Sequence, residues 1–476
     1  MAADQLRQHR ARTGRRPPAP AGVDPRPPAA ADAPGPRPAR GGDPLAPAGP
    51  LPPAGGPPVD PPGGAGEDGP PPLLRNRDFQ ALWSSRFLAG LGKESGEVAY
   101  PLLCLLLSGS AAHAGAIGAA QVAATMVAAL VGGSLADRAD RRLVLLCCDL
   151  GRLVLLGVFG AVLLAGGVAF PAVLAVAVCS SVLMGVSNPV AMAAVKQLVP
   201  PPQVADAAAQ NQIRFFTTTA LGAPAAGVLF HLGRAFPFLA EAAAYLLSAV
   251  LVLCIRRPLQ APGPRAREPW SLRGVFGGFV FLARHPVLRP MLTWIVGFNL
   301  AFTQTGAFLA LIATAESRGA DHAQIGLTVS LAGAGGLVGA LVSALVLRRV
   351  RPSALFLAAA WSAPVCALAL AAVPDVLSMG LLTGCVFALV PCVNAVFHGY
   401  IAASVTDEYQ GRVLGAVTFL CLVSQPVGVL GVGLVFEAAG PARVFLAMAA
   451  VSGLAALSSL SPVMRGLPRP GDVTVP

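Results

Sequence analysis

Long apolar runs separated by short polar turns dominate the chain from Phe79 onward. A run of about 20 apolar residues is long enough to cross a bilayer core as a helix. Twelve such runs are present, at 80–107, 114–135, 143–166, 169–197, 213–232, 236–255, 289–314, 325–347, 353–373, 376–402, 413–437 and 442–461. They are continuous rather than alternating, which excludes the short dyad-patterned strands of a membrane barrel. The pattern predicts an all-α integral membrane protein with twelve transmembrane helices. A longer polar stretch separates the sixth run from the seventh, so the chain divides six and six. The expected units are an N-terminal six-helix bundle over 73–255, a central loop over 256–288, a C-terminal six-helix bundle over 289–462 and a short tail over 463–476.

Composition agrees with this pattern. Hydrophobic residues make up 55% of the 476 positions and only 12% are charged, with a mean hydropathy of +0.66. Residues 1–72 differ sharply: they are rich in Pro, Ala, Gly and Arg and have no hydrophobic period. Such a segment cannot bury a core and is expected to be a disordered tail. No apolar stretch follows its basic residues, so it does not read as a signal peptide. The net charge of +11 does not point to nucleic acid, because the basic residues lie at the ends of apolar runs. They are grouped in the segment before the first span, in the turn after span two (Arg138, Arg141, Arg142), in the central segment and in the turn after span eight (Arg348, Arg349, Arg351). The opposite side holds Arg234, Arg318 and Arg443. The positive-inside rule then places both termini and the central loop in the cytoplasm of a multi-pass plasma (inner) membrane protein. The nine Cys all fall in apolar runs without metal-ligand spacing, so neither a metal site nor a disulfide framework is expected.

The densest charge lies in 132–143, GGSLADRADRRL, between spans two and three. This stretch resembles the loop 2–3 signature of the major facilitator superfamily, G-x-x-x-D-R-x-G-R-[RK], with Asp140 where the commonest form has Gly. The segments LLRNRDFQALWSSRFLAGLG (73–92), PWSLRGVFGGFVFLARHPVLRP (269–290) and DEYQGRVLG (407–415) are similar to the drug-exporter branch related to macrolide-efflux proteins and the enterobactin exporter. The resemblance implies the major facilitator fold, two parallel six-helix repeats with a site between them. It also implies a conformational latch formed by Gly133, Asp137, Arg138, Arg141 and Arg412, which closes against span eleven. A carboxylate such as Asp137 suits that role beside the positive end of a helix. Two readings stay open for the basic residues, latch or positive-inside anchor. Gly222, Pro224 and Gly227 in span five partly match the antiporter motif, and either close helix packing or a closed external gate accounts for them.

Ionisable residues inside a bilayer are costly, so each is a functional candidate. Span one carries Lys93, Glu94 and Glu97, and Lys93 and Glu97 are one helical turn apart. Span six carries Glu241, read as a lone acid. These four are candidates for proton coupling or for binding a charged substrate group, against the alternative of structural pairing. Asp149 and Arg152, three apart in span three, read mainly as a structural pair or as part of the cytoplasmic latch. Gln121, Asn299, Gln304, Asn394, His398 and Gln425 are single polar groups on apolar spans. Together they fit a mostly apolar pocket for an amphiphilic organic molecule. The chain has no G-x-x-x-x-G-K-[ST] loop, no catalytic cluster and no expected cofactor. The leading expectation is a monomeric secondary active exporter of a small organic, drug-like or siderophore-like molecule, driven by protons and working by alternating access. The expected partners are that small-molecule substrate, protons and the lipid bilayer, with no nucleic acid. A facilitator or importer of a metabolite, or a non-transporting membrane sensor or scaffold, remains an alternative.

Overall fold

The computed structural model describes residues 73–260, 272–405 and 407–467. The expected disordered tail over 1–72 lies outside the described residues, as do 261–271 of the central segment and 468–476 of the C-terminal tail. The described residues form helices and their connections, with no strand among them. In chain order the helices are α1 (Arg77–Ser108), α2 (Ala111–Arg138), α3 (Arg141–Ala165), α4 (Phe170–Leu198), α5 (Val204–Leu232), α6 (Phe236–Cys254), α7 (Leu272–Arg284), α8 (Leu288–Phe302), α9 (Gln304–Ser317), α10 (His322–Arg349), α11 (Pro352–Ala372), α12 (Val376–Ser404), α13 (Asp407–Ala439) and α14 (Pro441–Ala456).

The boundaries follow from local chemistry. Asn76, Ser110, Asp140, Asp321 and Asp375 are N-caps whose side chains accept hydrogen bonds from the first free amides of α1, α2, α3, α10 and α12. Gly109 ends α1 in the left-handed region, at φ 65°. Eleven segments are long and apolar enough to span a membrane, with α8 and α9 counted as one. The twelfth is α1, 32 residues long, whose hydropathy is lowered by Arg86, Lys93, Glu94 and Glu97. Leu130, Leu164, Leu253, Val365, Leu381 and Leu454 are each more than half exposed. In water such a girdle promotes aggregation, whereas in a bilayer it is the lipid-facing surface.

Two expectations about the elements need correction. The central segment 256–288 is not loop throughout, because α7 forms within it and packs on α13 and α8. The seventh span is two helices rather than one, broken at Thr303 with ψ 144°. No proline marks that break, so the apolar pattern reads straight through it.

The spans pack as two groups of six. In the first, α1 lies against α2, α4, α5 and α6, while α3 lies against α4 and α6. In the second, α10 pairs with α12, α11 with α14, and α13 with α8, α9 and α14. The groups meet mainly through α2 on α13 and α5 on α10. Exchanging the two groups turns one of these contacts into the other, since α10 is the second span of its group and α13 the fifth. Both contacts are closest at the end of the bundle opposite the α2–α3 turn. A Cβ on Gly227 would lie 2.4 Å from the His322 carbonyl oxygen, and one on Gly115 would lie 2.9 Å from the Gly433 Cα. At the same end the Ser110 hydroxyl and the Ala112 amide donate to the Glu437 carboxylate. The end that carries the α2–α3 and α10–α11 turns is rich in arginine and is called the basic end below.

Candidate functional site

Burying a charge is costly, so its partners reveal what a buried ion is for. Helices α1, α3 and α6 bring four cations and acids into one interior network. The Arg86 guanidinium on α1 donates to Asp149 on α3 and, at 2.9 Å, to the Ser248 hydroxyl on α6. Ser248 in turn donates to Asp149 at 2.7 Å. One turn further along α3, Arg152 donates to Glu241 on α6 at 3.1 Å and to Ser180 on α4 at 3.0 Å. Its guanidinium carbon also lies 3.9 Å over the Tyr245 ring, a cation–π contact. The expected Asp149–Arg152 pair is therefore replaced: the two side chains face different helices and each has its own partner. Glu241 is likewise not a lone acid.

The sequence candidates on α1 form a second cluster beside this network, where Gly92 and Gly96 of α1 pack on Glu241. Lys93 bridges Glu94 at 2.9 Å and Glu97 at 3.0 Å. Gln304 on α9 donates to the second oxygen of Glu94 at 2.8 Å, which ties the two groups of helices together at mid-bundle. Glu241 is distinctive within the network. Its Oε1 accepts from Arg152 and, at 3.4 Å, from the Tyr245 hydroxyl, while its Oε2 is buried without a hydrogen-bond partner among the described residues. That oxygen sits over Gly96, where a Cβ would come within 3.0 Å of it. A larger residue at 96 would push the carboxylate away from α1.

A cavity of about 580 Å³ opens between the two groups beside this network. Lys93, Glu97, Arg152 and Glu241 form its charged wall, and Gln121, Asn299, Gln304, Asn394 and Gln425 contribute to its lining. Of the polar candidates, His398 is not among the lining residues and lies one turn from Asn394 toward the basic end. Much of the remaining wall is aromatic or aliphatic, including Phe215, Phe298 and Phe387. Ser180, Asn188 and Gln212 also line it but carry no such signal in the sequence, and Arg152, which reads there as a partner of Asp149, lines the cavity instead. The other three are ordinary polar residues within their spans.

The latch and gate candidates lie apart from the cavity. Asp137 and Arg138 are exposed at the basic end, and no hydrogen bond or ion pair reaches Asp137 among the described residues. Arg412 is exposed near the start of α13. Arg141 is buried to 1% and binds three carbonyls, those of Ala136 at 2.8 Å, Ala193 at 3.1 Å and Leu259 at 2.9 Å. It stitches α2, α3, α4 and the segment after α6 together. A Cβ on Gly133 would meet nothing within 4 Å, whereas one on its neighbour Gly132 would lie 2.5 Å from the Val186 carbonyl oxygen on α4. Asp140, where the commoner motif has Gly, caps α3 by accepting from Arg142 N at 2.8 Å and Leu143 N at 3.4 Å. In span five, Gly222 packs on Glu94 of α1 and Gly227 on α10, and Pro224 lies between them within α5.

A network of paired charges beside a cavity between two six-helix groups invites comparison with known proteins. A family model described as Major Facilitator Superfamily matches residues 82–420. The multidrug efflux pump Tap of Mycobacterium tuberculosis (strain ATCC 25618 / H37Rv) is 26% identical over 376 residues, covering 76% of this chain and 88% of Tap. The uncharacterised MFS-type transporter YfiS of Bacillus subtilis (strain 168) is 27% identical over 334 residues, covering 66% of this chain and 76% of YfiS. Among solved structures, a variant of the nucleoside transporter NupG matches with a TM-score of 0.64 at 14% identity, over 80% of this chain and 99% of NupG. A bacterial homologue of the human lysosomal transporter Spinster, inward-facing and unoccupied, matches with a TM-score of 0.61 at 14% identity, over 82% of this chain and 97% of that one. At such identities the structural likeness carries the fold alone.

Proposed function

The chain belongs to the major facilitator superfamily, transporters rather than enzymes, and we propose that it exports a small organic, drug-like or siderophore-like molecule across the plasma membrane in exchange for protons. The observation that carries this reading is Glu241: a buried carboxylate with one oxygen unpartnered among the described residues, on the wall of the cavity between the halves. Such a group can take a proton when the cavity faces one side and release it on the other. Arg152 and Lys93 stand nearby to favour release. The cavity wall, mostly apolar with sparse hydrogen-bonding groups, suits an amphiphilic cargo better than a sugar. Similarity to a multidrug efflux pump favours export.

The arginine asymmetry supports a cytoplasmic basic end and cytoplasmic termini. With that orientation the helix groups are closed on the outer side, and the cavity is loaded from within. The bundles over 73–255 and 289–462 then rock about the cavity as a monomer, and Asp137 meets the start of α13 near Arg412 when the basic end closes. The test begins with a drug and siderophore accumulation screen in an efflux-deficient host. The cargo found there is followed in proteoliposomes with and without an imposed pH gradient. Proton-driven transport is expected to vanish in Glu241→Gln and to slow in Asp137→Asn, with counterflow of the cargo retained in both. Wild-type transport that ignores the gradient would sink the antiport reading and leave a facilitator.

A further inference from the structure

A second cavity, of about 320 Å³, adjoins the first on the side of the basic end. Lys93, Arg152, Met184, Asn188 and Phe215 line both, so the two share a wall and lie next to each other. Their charged walls differ. The deep cavity shows Lys93 and Arg152 beside Glu97 and Glu241. The vestibule shows Arg86, Lys93, Arg152 and Arg214 beside the single acid Glu94. Three of these cations have carboxylate partners: Asp149 for Arg86, Glu94 and Glu97 for Lys93, and Glu241 for Arg152.

Arg214, on α5, is different. Its Nη1 donates to the Arg86 carbonyl at 2.8 Å, and its Nε is buried without a hydrogen-bond partner among the described residues. No carboxylate pairs with it among the described residues. Counted over the whole cluster, the four cations match the four acids Glu94, Glu97, Asp149 and Glu241. The surplus acid, however, sits with Lys93 toward the deep cavity, and the surplus cation sits at the vestibule. The vestibule wall also carries Trp83, whose ring stacks on Phe87 at 5.6 Å, and Phe215, which is 42% exposed.

We propose that the vestibule is a binding site for the carboxylate of an amphiphilic aromatic cargo, with Arg214 as the paired cation and Trp83 and Phe215 as the apolar wall. An arginine with no carboxylate partner among the described residues, already carrying a buried unsatisfied Nε–H, is a strong site for an oxyanion at the part of its side chain that lines the cavity, because a charge-assisted bond there compensates its desolvation. The planar fork of Arg suits a carboxylate, and flanking aromatic faces suit a ring attached to it. The cargo thus enters acid-first at the basic end, before its apolar body reaches the deep cavity. The cargo class rests on the reading of the chain as a transporter, while the site itself is tested by binding.

The experiment uses the full chain in phosphatidylcholine nanodiscs. Equilibrium dialysis measures 2-naphthoate, 2-naphthylmethanol and 2-naphthylmethylammonium, which share a ring system and differ in charge. The anion is expected to bind about tenfold more tightly than the alcohol, and the cation more weakly still. Arg214→Gln should remove the preference and leave binding of the alcohol unchanged, while Arg214→Lys should keep part of it. Equal binding of all three probes, or a preference that survives Arg214→Gln, overturns the proposal. If Arg214→Gln does not fold, Asn211→Asp keeps Arg214 and adds an acid one turn before it on the same wall, where it competes with the cargo carboxylate for that cation. A preference unchanged by that substitution is equally fatal. Adding phosphatidylglycerol should leave naphthoate binding intact, and competition by it would reassign the site to a lipid phosphate. Anion preference without proton-driven efflux would fault the export reading alone. Efflux without anion preference would fault this proposal alone.

Discussion

The two six-helix halves share a plan but not a chemistry. In the first, α1, α3 and α6 bury Arg86, Glu94, Asp149, Arg152 and Glu241, linked across helices by ion pairs. In the second, the buried polar residues among the described ones are hydroxyls such as Thr328, Thr383 and Ser452. Thr383 and Ser452 donate to carbonyls of their own helix, Ser452 to Met448 at 2.6 Å, while Thr328 on α10 also reaches the Val376 carbonyl of α12 at 3.3 Å. Hydroxyls of this kind carry no net charge, so moving one away from a neighbouring helix strands a hydrogen bond at most. Ion pairs between helices are costlier to part, because moving one helix leaves a buried ion uncompensated. The first half is therefore the charge-bearing partner, and the second half offers the cavity an uncharged wall.

The sharpest way to break this contrast is to remove charge from the first half one ion at a time and then as a pair. Arg152→Met strands Glu241 and should cost about 3–5 kcal/mol, read as a large fall in Tm of the detergent-solubilised protein. Arg152→Met combined with Glu241→Met removes both ions and should recover most of that loss. Proton-driven transport should stay absent in the double variant. Recovery of transport along with stability would show that the pair is structural only and that the coupling acid lies elsewhere, on α1.

How much of this the sequence shows depends on whether a partner is near or far along the chain. The spans, the six-plus-six division and the loop 2–3 motif are properties of contiguous stretches, and the fold agrees with them. The Lys93–Glu97 pair is one helical turn long and also needs no tertiary knowledge. Arg86–Asp149 and Arg152–Glu241 join residues 63 and 89 positions apart, and no periodicity encodes such a choice. The three-residue spacing of Asp149 and Arg152 made the wrong pair look sufficient. Similarly, the break at Thr303 has no Pro beside it, and Gly306, which packs on Thr303 in the first turn of α9, looks in the sequence like any other glycine of an apolar span. The helix α7 was hidden by the shortness of its apolar face within a polar segment.

A smaller effect sharpens the uncharged side of the comparison. Asn394 and Gln425 line the cavity from the second half, and each can offer a neutral hydrogen bond. Such a bond contributes about 0.5–1.5 kcal/mol net. Asn394→Ala and Gln425→Ala should therefore raise the KM for the cargo by a few-fold, roughly 2–10 times, with Tm nearly unchanged. A loss as deep as that of Glu241→Gln from either one would mean the second half carries coupling chemistry too.

The smallest expected effect returns to the charged turn between spans two and three. The halves begin their third spans differently: α3 starts from the capping carboxylate of Asp140, whereas α11 starts with Pro352 and has no side-chain cap. Both are ordinary ways to open a helix, one by satisfying free amides and the other by fixing φ where no amide is needed. Asp140 thus has a local task that accounts for it without a part in the latch. Glycine is itself a tolerated N-cap, worth only a few tenths of a kcal/mol less than Asp, whereas alanine costs about 1 kcal/mol. Asp140→Gly, which restores the commoner form of the motif, should leave both Tm and transport close to wild type. Asp140→Ala should lower Tm measurably and leave the transport rate of the folded protein unchanged. A transport defect in Asp140→Gly at unchanged Tm would instead put this carboxylate in the latch beside Asp137.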